Sequence, residues 1–207
     1  MSAARHIPRV EATNYQISID ATYTPSPQGL IVQPGDQVSF YNNVGAGVVI
    51  TIYCQPNPPA AQVPYTTNPP NQVIQIGPIS YGNSAGFTAP NVNSAMDYYV
   101  YANGVKQTGP FSVQVGSGPL WVQVTAAGWP DEVAIPVGGT IEMVSQTSQS
   151  YNVGWQPSDP FTTPLNSVQP SGNSPHTAKS NASGTYTYTG TPKLAAQPGG
   201  GKVIIQS

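Results

Sequence analysis

Leu30-Ile31-Val32-Gln33-Pro34-Gly35-Asp36-Gln37-Val38-Ser39-Phe40 places an alternating apolar run on each side of a Gly-centred turn, and the pattern returns as Val133-Ala134-Ile135-Pro136-Val137-Gly138-Gly139-Thr140-Ile141-Glu142-Met143. Each copy reads as two short strands around a tight turn, with Gly35-Asp36 as a hairpin. A second echo sets Tyr53-Cys54-Gln55-Pro56 against Gly154-Trp155-Gln156-Pro157. A third pairs Tyr99-Val100-Tyr101 with Tyr186-Thr187-Tyr188 at a smaller offset, so the second copy is shorter in its middle. Repetition at this spacing predicts two similar modules in tandem, each of about a hundred residues.

The chain has 207 residues, and only 7% are charged, with Lys+Arg at 6 and Asp+Glu at 8. About 25% is ordinary for soluble domains. The few cations are scattered, with Arg5 and Arg9 near the start and Lys106, Lys179, Lys193 and Lys202 far apart. Nucleic acid is therefore excluded as a partner, because counterion release needs clustered Lys and Arg. An anionic membrane surface is disfavoured for the same reason. With 23 Pro and 21 Gly, the composition is that of a turn-rich β protein wetted by Asn, Gln, Ser and Thr. Low charge removes the repulsion that keeps proteins apart, and it equally fits an exported protein with a neutral polar surface. No apolar run approaches the ~20 residues of a membrane-spanning helix.

Residues 1 to 14 follow no period and read as an N-terminal arm. They hold no apolar stretch of signal-peptide length, which fits either an unexported chain or one whose signal has been removed. Strands are expected over residues 15 to 19, 30 to 40, 48 to 54, 72 to 76, 97 to 102 and 111 to 115. The Pro-rich residues 55 to 71 must be a loop, since Pro supplies no ladder donor. Gly116-Ser117-Gly118-Pro119 reads as the linker. The second module repeats the order, with strands over 120 to 125, 133 to 136, 140 to 145, 151 to 155, 185 to 189 and 202 to 206, and Pro198 to Gly201 as a hairpin turn. No segment shows a sustained helical period.

Tyr23 and Pro25, then Gly35-Asp36, then Phe40-Tyr41-Asn42-Asn43-Val44-Gly45 carry a family likeness. This order of strands and turns resembles the cupredoxin fold, the Greek-key sandwich of plastocyanin and its relatives. The resemblance implies an all-β chain of two tandem Greek-key β-sandwiches: an arm at 1–14, a module at 15–116, a linker at 117–119 and a second module at 120–207. In the family, two imidazoles, a thiolate and an axial Met hold copper. The first His of that set falls at Val48 and the Cys at Ala102, with the remaining ligands expected within residues 103 to 110, a stretch that has no soft donor. In the second module the corresponding positions are Tyr151 and Thr189. All four are vacated ligand positions, so no cofactor is expected.

Two His, one Cys and three Met make two such centres impossible. A single improvised site would need Cys54 and His176 to converge from different modules. Cys54 reads instead as a small buried hydrophobe, while His6 and His176 read as solvated. Gly82-Asn83-Ser84-Ala85-Gly86 spells a nucleophile elbow but lacks the strand-to-helix context, and it reads as a polar turn. Asp131 and Glu132 are neighbours that point to opposite faces, which does not suit paired-carboxylate chemistry. Asn181-Ala182-Ser183 is a sequon that matters only in a secreting eukaryote. The chain is therefore expected not to be an enzyme.

Function is then expected in assembly or recognition. The first reading is a structural protein that forms a homo-oligomer or polymer, with residues 1 to 14 or an exposed strand edge completing a neighbour's sheet. The second is an extracellular module that binds carbohydrate or protein through the loop aromatics Tyr53, Tyr65, Trp155 and Phe161. Against the second stands the use of Tyr53 and Trp155 to plug the ends of their sandwiches. Composition and resemblance favour an extracellular or cell-envelope location.

Overall fold

The computed structural model describes residues 12–56, 74–91, 93–125, 128–170, 172, 174–192 and 200–206. Every element among them is a β-strand, in keeping with the Pro, Gly and β-branched residues that break helical periods. In chain order the first nine are β1 (Asn14–Ile19), β2 (Pro25–Ser26), β3 (Gly29–Val32), β4 (Gln37–Asn42), β5 (Val49–Pro56), β6 (Ile74–Ser80), β7 (Ser84–Thr88), β8 (Ser94–Ala102) and β9 (Val105–Val115). The next eight are β10 (Pro119–Val124), β11 (Glu132–Pro136), β12 (Thr140–Ser145), β13 (Tyr151–Gln156), β14 (Ser167–Val168), β15 (His176–Thr177), β16 (Gly184–Thr191) and β17 (Gly200–Gln206).

These strands form three sheets: β2-β1-β4-β7, β10-β12-β15, and a ten-stranded sheet in the order β14-β13-β16-β17-β11-β3-β9-β8-β5-β6. The pairing scheme of β1 to β9 is also found in β10 to β17. β1 runs parallel to β4 as β10 does to β12, and β3 runs parallel to β9 as β11 does to β17. A parallel contact of β3 with β11, Gly29 opposite Val133 and Leu30 opposite Ala134, joins the two runs into one sheet.

That joint explains why β3 is apolar on both faces. Side chains of a strand alternate between faces: Leu30 and Val32 enter one hydrophobic cluster with Ile17, Phe40, Tyr98 and Val113, while Ile31 enters the other with Leu120, Ile141, Tyr151 and Val203. β11 mirrors it, with Ala134 in the first cluster and Val133 and Ile135 in the second. The two cores therefore lie on opposite faces of a shared belt. β10 crosses β3 so closely that a Cβ on Gly29 would sit 3.1 Å from Leu120 Cδ2.

Two sequence expectations are corrected here. Residues 30 to 40 are not a hairpin, because β3 belongs to the ten-stranded sheet and β4 to the four-stranded one. The turn carries the chain across the edge of the sandwich. Gly35 takes φ +91°, which favours glycine, and the buried Asp36 carboxylate accepts from the backbone N–H of Gln33 at 2.7 Å and of Thr13 at 2.8 Å. Residues 103 to 110, expected to lie between two strands, form a two-residue turn at Asn103 (φ 49°) and Gly104 (φ 80°) followed directly by β9, which begins at Val105. Residues 116–119 are pinned at several points. Gly116 N–H donates to Val32 O at 2.8 Å, Ser117 N–H donates to Asn93 Oδ1 at 3.1 Å, and Pro119 already opens β10. The hairpin turn expected over Pro198 to Gly201 falls partly outside the described residues, while Gly200 and Gly201 lie within β17.

Candidate functional site

The four positions that the resemblance assigned to absent ligands differ in their surroundings. Val48 packs against the first core, and Ala102 is buried at the end of β8. Tyr151 is buried, with its hydroxyl 2.9 Å from Thr147 Oγ1. Thr189 is exposed on β16. Cys54 sits in the first core, where burial raises its thiol to about 12. His176 packs on Phe161 of the second core, 6.3 Å between ring centroids. Among the described residues no three of His, Cys, Asp and Glu converge.

His176 corrects a further expectation, since it is 7% exposed with Nδ1 2.9 Å from Thr163 O. The loop aromatics also fall differently from the sequence reading. Phe161 is buried at 1% exposure, because Asp159 accepts from its N–H and turns the ring into the second core. It offers no surface. Trp155 is half-buried edge-on to Phe161, and its indole N–H donates to Leu165 O at 2.8 Å. Tyr53 is half-buried against Tyr101 across the β5–β8 pair. Tyr65 lies outside the described residues. Ser84 of the elbow-like sequence is exposed at the start of β7, with no helix after it.

A cleft appears elsewhere, where β9 and β10 face each other at the junction of the two runs. Its volume is about 250 Å³. Alternation in β10 turns Leu120, Val122 and Val124 into the second core and leaves the half-buried Trp121 and Gln123 on the other face. Opposite them, β9 bulges: Phe111 pairs with Tyr98 and Thr108 with Val100, so Gly109 and Pro110 together face Tyr99 alone. Gly109 is required there, as a Cβ would lie 2.9 Å from Tyr98 O. The bulge lines the cleft together with Gln107, Phe111 and Ser112.

The polar lining is held in place from behind. Buried Asp97 accepts from Ser112 Oγ at 2.8 Å and from Gln123 Nε2 at 3.4 Å. Gln28 Oε1 accepts from Asp131 N–H at 2.7 Å. Asp131 is the one ionisable side chain in the lining among the described residues. Desolvation, and then the Asp20 carboxylate, push its carboxyl above the ordinary range, with Lys202 opposing. Lys202 itself is paired with Glu132 at 2.6 Å. Sequence reasoning missed this site, although Trp121 on the polar face of an alternating strand was a readable signal.

Comparison with solved structures finds copper proteins. An oxidized amicyanin variant is 20% identical over 44% of this chain and 86% of its own, with a TM-score of 0.32. A blue copper oxidase from Nitrosomonas europaea is 12% identical over 94% of this chain and 86% of its own, with a TM-score of 0.34. A copper nitrite reductase from the same organism is 9% identical over 95% of each chain, also at 0.34. No protein family matches the chain, and no curated protein does.

Proposed function

We propose that the chain is a non-catalytic structural protein that associates with copies of itself, built from two copper-free cupredoxin-like modules in tandem. The observation that carries this reading is the outer side of β7, which pairs with no strand there among the described residues. Among the described residues Ser84-Ala85-Gly86-Phe87-Thr88 is paired with β4 only, and it bears neither a charge nor a proline. Natural edges are ordinarily blunted by such residues. β6, an edge of the ten-stranded sheet, does carry Pro78 and a register break opposite β5. A second copy is the partner that fits β7, since 7% charged residues leave little repulsion between like surfaces. The repeated pairing scheme and the donor-free ligand positions support the remainder. A binding module using Trp155 and Phe161 has less support, because both rings are packed inward.

Sedimentation velocity across a wide concentration range tests the reading. Reversible or ordered association is expected, and charging the edge with Ser84→Lys and Thr88→Lys should weaken it about tenfold, or ~1.4 kcal/mol. Unchanged association of the double variant would show that β7 is not the contact.

A further inference from the structure

We infer that the cleft between β9 and β10 binds a neutral saccharide ring, with Trp121 against its apolar face and Gln107, Gln123 and Asp131 on its hydroxyls. Size is the first argument. About 250 Å³ is a little below the usual range for small-molecule pockets, roughly 300–1,000 Å³, and suits a single hexose unit rather than a nucleotide or a large cofactor.

The lining chemistry is the second argument. A pyranose presents C–H groups on its faces and hydroxyls around its rim, and the cleft answers with flat aromatic surface beside neutral amides. An anionic ligand has no counterpart here, because no Lys, Arg or His lines the cleft among the described residues and Lys202 is engaged by Glu132. One exposed carboxylate accepts hydroxyl hydrogens well and gives a cation only a single charge. The third argument is support from behind. The Asp97 contacts to Ser112 and Gln123 fix one wall, the Gln28 contact to Asp131 fixes another, and the Gly109-Pro110 bulge shapes the space between them. The site is assembled from both runs of strands and exists only because β3 and β11 join them.

Two-dimensional amide NMR of the full chain, titrated with the methyl glycosides of glucose, galactose, mannose and N-acetylglucosamine, tests this. For at least one glycoside we expect saturable shifts centred on residues 107–112 and 121–123, fitting one molecule per chain with a Kd of about 1 mM. Trp121→Ala should weaken that binding at least tenfold. Gln107→Ala, a change at an exposed side chain, should weaken it several-fold with the melting temperature unchanged, whereas Trp155→Phe should leave it intact. The inference is overturned if no glycoside shifts these amides, if the shifts centre on Trp155 or Tyr53, or if tetramethylammonium binds the cleft more tightly than every glycoside.

Discussion

Trp129 is held by three neighbours at once. Its ring lies edge-on to Tyr151 at 5.3 Å and tilted on Tyr188 at 5.7 Å, and Gly190 closes the third side. A Cβ on Gly190 would fall 1.9 Å from Trp129 Cζ2, which no rotamer change of a clamped indole relieves. Gly190→Ala should cost about 3 kcal/mol, seen as a lowered midpoint in urea unfolding; a loss under about 0.5 kcal/mol, the range of ordinary surface changes, would contradict the packing described. Cys54 supplies a second prediction. Burial lifts its thiol from 9.0 to about 12, and burial also raises the hydroxyls of Tyr98 and Tyr188. The folded state holds these protons more tightly than the unfolded chain does. Stability is therefore full below about pH 9 and falls as pH rises from there towards about 12, by about 1.4 kcal/mol per pH unit for the thiol alone. Denaturant midpoints that stay level from pH 8 to 11 would refute it.

At the scale of elements, alternation made several strands legible. Tyr15-Gln16-Ile17-Ser18-Ile19 follows the period of a sheet with one covered face, whereas β12, legible as a strand from Ile141 and Met143, is buried on both faces, Glu142 included. β3 was legible as a strand and illegible in its pairing. Four consecutive buried residues signal a strand covered on both faces, yet the partner that covers the second face is β10, some ninety positions away. β7 escaped notice because Ser84-Ala85-Gly86-Phe87-Thr88 is rich in small residues and poor in strand formers, and pairing with β4 overrides that weak propensity. The His176 reading failed for a related reason. Ser, Pro and Asn around it suggested a wet loop, while the short β12–β15 pair, Ile141 opposite His176, brings the ring to the second core. The cleft needed both β9 and β10 to be placed in space; only Trp121 announced it locally.

For the whole molecule, the shared belt is the decisive feature. Ile31 packs into the second core and Ala134 into the first, so neither run of strands completes its core alone. Burying an Ile side chain is worth about 1.5–3 kcal/mol, and separating the halves would return that face to water. Calorimetry should accordingly show one cooperative transition; two resolved transitions would mean that the belt is not a common structural unit. That continuous sheet, the low share of charged residues, 7%, and the β7 edge, paired with β4 alone among the described residues, support the proposed self-association. Sedimentation velocity of the intact chain from micromolar to near-millimolar concentration is the most direct test of that conclusion. The account predicts species larger than one chain, growing with concentration and reduced by Ser84→Lys with Thr88→Lys. A single monomeric boundary at every concentration would contradict it.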